Sequence, residues 1–157
     1  MDFERMSDKL KGIFQKALQL VINNKNVEID LSHFLYALIT TDDIKNIFIS
    51  LKLDYNKVLS IIDNHISSLA TSSDANRNPN INGYIVNAYN EASNTASKRG
   101  SKYISMFDML VPSLYNDSSL SKELTKYLCS KKELEKNNRW YKNRGTSSAK
   151  PRTIRFS

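Results

Sequence analysis

The apolar pattern of the first half of this chain returns 75 residues later in the second half. Leu10, Phe14, Ala17 and Val21 recur as Ile85, Tyr89, Ala92 and Ala96, and Ile29, Phe34 and Leu35 recur as Ile104, Met109 and Leu110. Steps of three and four residues put these side chains on one face of a helix. The repeat predicts an all-α fold, a pseudo-duplicated pair of four-helix units. A duplicated helical unit has no built-in chemistry. It offers a surface and the groove between its halves, so binding comes ahead of catalysis as a reading of function.

The periodicity places about eight helices. The first spans about 7–23, with Ser7 or Asp8 as N-cap and Leu10, Phe14, Ala17, Leu18 and Val21 as its apolar stripe. Helices from Ser32 to Ile39, from Asp42 to Leu51 and from Asp54 to Leu69 complete a first repeat over about 7–69. Residues 70–80, ATSSDANRNPN, are small and polar and read as a connector. A connector of this kind, if flexible, joins the units without fixing their angle.

The second repeat, about 81–141, opens with a helix from Ile81 to Lys98 that turns Tyr84, Ile85, Ala88, Tyr89, Ala92 and Ala96 inward and stops at Gly100. Ser105 and Asp108 then form a capping-box-like pair, and Pro112 predicts a kink or early end in the helix that follows. Segments 118–128 and about 131–141 supply the last two helices, and nothing reads as a strand.

A chain of 157 residues with 40% apolar content suits one domain over about 1–142. Cys129 is the single cysteine, so no intramolecular disulfide forms and a reducing, cytoplasmic setting is expected. The opening MDFERMSDKL has no apolar signal region, and no apolar run approaches membrane-spanning length. The formal charge of +7 is unevenly spread. Residues 1–129 hold 14 basic and 14 acidic side chains, whereas residues 130–157 hold 9 and 2. Segment 143–157, NRGTSSAKPRTIRFS, reads as a disordered basic tail on a neutral body.

Three segments carry a family resemblance: ERMSDKL near the start, IDLSHFLYALI at 29–39 and KRGSKYISMFDML at 98–110. Together, over about residues 3–128 and with both halves in order, they are similar to the N-terminal (Clp repeat) domain of Clp-family AAA+ unfoldases, closest to the disaggregase branch. The resemblance implies an accessory domain that recruits substrates or adaptors to a hexameric ATPase through an apolar groove with polar surroundings. It also implies partner contacts at Ser7, Tyr89, Ser101, Phe107 and Asp108, with Phe107 exposed to hold a client segment. Disaggregase relatives place acidic residues where this chain has Ser101 and Phe107, with Asp108 one place later, so the acidic character is reduced. The bland readings are that Ser7 and Asp108 are helix caps and that Tyr89 belongs to the core.

The chain departs from a full unfoldase. None of its four glycines, Gly12, Gly83, Gly100 and Gly145, lies in a G-x-x-x-x-G-K-[ST] loop, so ATP hydrolysis would belong to a partner, a Clp-type ATPase or its protease. The chain reads either as a free-standing accessory protein or as one piece of a longer ATPase. No cofactor is expected. His33, His65 and Cys129 have no metal-ligand spacing, and a Cys/His nucleophile pair gives way to a buried, inert thiol, a structural His33 and a His65 that is solvated or dipole-stabilising near a helix end. Glu28 with Asp30 and Asp42 with Asp43 fit capping at helix starts.

The rival signal is basic. Lys131, Lys132, Lys136, Arg139, Lys142 and Arg144 surround Trp140 and Tyr141, and Lys150, Arg152 and Arg155 follow. That composition suits nucleic-acid phosphates or an anionic membrane surface. It also suits a solubilising tail, and Ile154 with Phe156 suits a short docking peptide.

Overall fold

A computed structural model describes residues 1–73 and 78–145, with side chains described up to Trp140. Eight α-helices are found among these residues. The first repeat holds α1 (Asp8–Asn24), α2 (Leu31–Ile39), α3 (Asp42–Ser50) and α4 (Tyr55–Ser67). The second holds α5 (Gly83–Lys98), α6 (Met106–Leu114), α7 (Ser119–Leu124) and α8 (Lys131–Gly145). Single 3₁₀ turns lie at Phe3–Arg5 and Thr125–Tyr127. Helix α8 extends through Gly145, so positions 143–145 of the expected tail are helical. The rest of that tail, with Lys150, Arg152 and Arg155, lies outside the described residues.

Short polar side chains start the helices. Ser7, Asp30, Thr41, Asp54, Asn82, Ser105 and Ser118 each accept a hydrogen bond from a backbone N–H in the first turn of the helix they precede. Gly100, with φ +77°, follows α5, and Lys25 closes α1 in the left-handed region with φ +55°. The early end expected at Pro112 does not occur. Helix α6 runs two residues past it and matches α2 at nine residues. Proline withholds a single N–H, and the tight packing of α6, buried along its whole length, holds the turn.

The expectation that the chain has no strands needs correction. An N-cap residue is extended, so the residues before it turn their N–H and C=O groups sideways, where they need partners. They find them in the other repeat. Strand β1 (Glu28–Ile29), before α2, pairs in parallel with β2 (Asn80–Ile81), before α5. Met6, before α1, makes a parallel bridge to Ile104, before α6. Adding 75 converts Met6 into Ile81 and Ile29 into Ile104, so the two bridges are exchanged by the pseudo-twofold of the repeat. Ser7 N–H donates to the Ile104 carbonyl at 2.9 Å, Ile104 N–H to Arg5 at 2.7 Å, and Asn82 N–H to Ile29 at 2.9 Å. At two residues each, these strands are too short for an alternating pattern to show in the sequence.

The halves therefore interlock, and their angle does not depend on the connector. Helices α2 and α6 pack on each other at the centre, α4 rests on α2 and on α7, and α8 rests on α6 and on α3. Met6, Leu10, Phe14, Phe34, Ile85, Ile104, Leu110 and Leu134 all belong to one continuous core. The Phe14 ring packs tilted against Phe34 with centroids 4.8 Å apart, and Phe3 meets Phe14 edge-on at 5.6 Å.

Both central helices start with a capping box, of different chemistry. Asp108 accepts from Ser105 N–H at 2.9 Å and holds Arg99 through two bonds of 2.7 and 3.0 Å. At the matching position His33 is fully buried. Its Nδ1 accepts from Asp30 N–H at 2.9 Å, which leaves the proton on Nε2 to be donated to Asn26 Oδ1 at 2.8 Å. Burial lowers the His33 pKa below 6.5; the nearby Asp30 pulls it up and His65 pulls it down. His65 Nε2 lies 3.4 Å from the Asp30 carboxylate, so His65 is half-buried in an ion-pair position instead of simply solvated at a helix end.

Two outcomes follow from this packing. Above pH 6.5 His33 is neutral in both folded and unfolded chains and adds no pH dependence. Below it the unfolded chain takes up a proton that the folded chain resists, so stability falls as pH falls. Chemical denaturation between pH 7.5 and 5 should show this slope, and His33→Gln should reduce it. Ile104, with 0% exposure, should cost about 2–5 kcal/mol when cut to alanine. Its neighbour Tyr103, 47% exposed, should cost less than about 1 kcal/mol, measured by the same denaturation.

Candidate functional site

The interlock brings most of the sequence-selected positions to one place. Ser7 caps α1, accepting from Leu10 N–H at 3.2 Å, and its own N–H is bonded to Ile104. The segment before it lies along α5. The Tyr89 hydroxyl donates to the Asp2 carbonyl at 3.0 Å and accepts from Asp2 N–H at 3.1 Å, while Arg5 donates to Ser93 Oγ at 2.7 Å. Ser101 N–H closes the end of α5 on the Ala96 carbonyl, and its hydroxyl donates to the Tyr103 carbonyl at 2.8 Å. Asp108 anchors the other end of the same loop through Ser105 and Arg99. Ser7, Tyr89, Ser101 and Asp108 thus surround the Met6–Ile104 bridge, and the bonds described hold backbone and loop in place.

Phe107 is the exception, and the expectation that it is exposed is corrected. It is 9% exposed, and its carbonyl accepts from Asn138 Nδ2 of α8 at 2.6 Å. Its burial follows from α8, which covers that side of α6. The exposed aromatics of this region are Phe3, at 44%, and Tyr103, whose ring carries the Lys102 ammonium 5.4 Å from its centre. Neither stood out in the sequence, because the repeat pattern marks inward positions and both face outward.

A hollow of about 450 Å³ opens between α1 and the start of α3. Its floor is Ile13, Ala37 and Met106, all buried, the last contributed by the second repeat. Its rim is charged: Lys9, Lys16, Asp42 and Asp43, with Lys9 and Asp43 paired at 2.8 Å. Gly12 lines the hollow from the second turn of α1, and a Cβ built on it meets nothing within 4 Å. Glycine costs a helix interior roughly 0.5–1 kcal/mol relative to alanine, and here it leaves that position on the rim without a side chain. Met106 joins the glycine and the acidic pair of the first repeat because α6 follows the cross-repeat bridge at Ile104.

Other candidate chemistry stays apart. No group of three or more His, Cys, Asp or Glu able to hold a metal ion occurs among the described residues. Cys129, expected as a buried and inert thiol, is half-buried, and its burial pushes the thiol pKa up. The Tyr115 hydroxyl donates to the Cys129 carbonyl at 2.6 Å, and its own pKa is raised by burial. Glu28 accepts from Asn82 Nδ2 at 3.2 Å, Asp30 caps α2, and Asp42 and Asp43 sit in the first turn of α3. On α8, Lys131, Lys132, Lys136 and Arg139 are exposed, and Trp140 is 41% exposed; Lys142 and Arg144 lie on the same helix beyond the described side chains. No described helix is long and apolar enough to cross a membrane.

Similar folds are known. The N-terminal domain of Hsp104 from Candida albicans superposes with a TM-score of 0.74 at 16% identity, over 85% of this chain and 88% of that one. The N-domain of ClpV from Vibrio cholerae gives 0.70 at 17%, over 88% and 86%. A ClpV N-domain solved in complex with a VipB peptide gives 0.67 at 16%, over 88% of each chain. No curated protein matches the chain in sequence. The family model of the Clp repeat (R) N-terminal domain matches residues 5–127, both repeats up to the start of α8, and the chain belongs to that family.

Proposed function

We propose that this chain is a non-catalytic protein-binding domain that recruits clients or adaptors to a Clp-type AAA+ unfoldase or protease, either as a domain of one or as its accessory. The observation that carries this reading is the hollow beside Gly12: an apolar floor inside a charged rim, with open space at the glycine that lines it. A concave apolar patch ringed by polar groups suits the anchor side chain of a client segment. A fold in which a ClpV N-domain holds a VipB peptide is compatible with such use. The residues selected from the sequence act here as supports: Ser7 and Asp108 fix helix starts, Tyr89 and Ser101 fix the flanking segments, and Phe107 packs under α8. A lone, half-buried thiol suits a cytoplasmic setting.

Gly12 separates function from stability. Gly12→Ala should raise stability by about 0.5–1 kcal/mol in chemical denaturation. Gly12→Leu, which puts a branched side chain over the floor, should cut recovery of partner proteins by about tenfold or more while the fold persists. Recovery would be read by mass spectrometry after capture on the tagged chain from native, nuclease-treated lysate, and unchanged recovery by Gly12→Leu would reject the hollow. Capture should survive removal of residues 146–157. A cut at residue 130 is not equivalent, because Leu134 of α8 belongs to the core.

A second reading rests on the four exposed cations of α8, which suit a polyanion such as nucleic acid or an anionic surface. It expects binding to duplex DNA that weakens with salt at a log–log slope of about 0.9 per phosphate neutralised. Fluorescence titration at several salt concentrations checks it, and a flat response would dismiss it.

A further inference from the structure

The pseudo-twofold gives each repeat a fourth helix in an equivalent seat. Helix α4 rests on α2 and α7, and α8 rests on α6 and α3. Their caps align them, since Asp54 accepts from Lys57 N–H and Ser130 from Glu133 N–H, three residues on in each case. From these caps Val58 corresponds to Leu134, Ile61 to Asn137 and Ile62 to Asn138. Val58 and Leu134 are both fully buried, so the register holds in space as well.

The next two positions break the match. Where α4 buries two isoleucines, α8 has a half-buried asparagine followed by a buried one. Asn138 is 4% exposed and donates to the Phe107 carbonyl, and Asn137 reaches Ser50 Oγ at 3.4 Å. The Oδ1 atoms of both are buried and accept no hydrogen bond. A buried acceptor left without a donor is costly, and the cost vanishes when the helix lifts into water. Among its described side chains, Leu134 is the one aliphatic anchor of α8. The family match stops at residue 127, before this helix.

We infer that α8 is a displaceable occupant of the groove between α6 and α3, and that the groove accepts in its place an amphipathic helix from a partner protein with aliphatic side chains at positions i, i+3 and i+4. The first repeat supplies the argument for that chemistry. Val58, Ile61 and Ile62 show what a seat of this shape holds when fully matched. Displacement would also swing the basic side chains of α8 away from the body. The groove shares α3 and α6 with the hollow beside Gly12 but meets α8 at Ser50 and Phe107 instead of Asp42, Asp43 and Met106, and the inference stands whether or not clients dock in the hollow.

Hydrogen exchange on the full chain tests the first half. The amides of α8 should be protected about a hundredfold less than those of α4, about tenfold for each orphan acceptor. The variant N137I/N138I should recover most of that protection. Common exchange of α4 and α8 at the rate of global unfolding would overturn the inference. The second half uses as the probe a synthetic peptide of residues 130–142 that carries both isoleucine substitutions and Trp140→Phe, so that only the chain itself contains tryptophan. Added to the wild-type chain, it should speed α8 exchange and shift the emission of Trp140, the sole tryptophan, which lies on α8. The N137I/N138I chain should bind the peptide about tenfold more weakly or worse, its own helix being seated. A peptide at saturating concentration that changes neither signal would overturn the docking claim. If the double variant does not fold, the wild-type exchange and the peptide titration decide it.

Discussion

Everything in this molecule hangs on the exchange of short extended segments between its two repeats. The residues before α1 pair with those before α6, and the residues before α5 pair with those before α2. Neither repeat can satisfy these backbone groups alone, and buried unpaired amides are expensive. The exchange therefore turns two similar units into one body. It sets the crossing of α2 on α6, carries Met106 to the floor beside α1, and lays the N-terminal segment across α5.

Duplication did not make the halves equal. At one position of the repeat, a fully buried histidine closes the box of α2 as a neutral acceptor and donor, while an aspartate closes that of α6 as an anion clasped by Arg99. The first arrangement depends on His33 remaining unprotonated, and the second on a partner from the end of the preceding helix. A similar divergence separates α4 from α8, where isoleucines give way to asparagines. The first repeat closes its seat with aliphatic groups, whereas the second closes it with a helix that hides polar atoms and bears six of the basic side chains of residues 130–157.

Much of this was legible one residue at a time. The caps Asp54 and Ser105, the stop at Gly100 and the stripes of α1 and α5 follow from local rules, because a helix end must satisfy its own N–H groups whatever surrounds it. The family resemblance rested on the same local patterns. The site was less legible. Phe107 looks outward in the motif and is covered by α8, and Phe3 and Tyr103 follow no period. Asn26 and His65 belong to the His33 network from separate segments. Gly12 appeared only as one glycine of four, since its role depends on empty space beside it.

The sequence by itself determined the helices, most of their caps, the duplication and the confinement of net charge to residues 130–157, because these depend on spacing, capping chemistry and composition within short windows. Only the tertiary structure decided how the repeats cross, which aromatic groups meet solvent, where a hollow opens and which helix is poorly matched to its seat. Those properties arise from pairs of residues such as Met6 with Ile104 or Gly12 with Met106, far apart in the chain, and nothing local in either member names its partner.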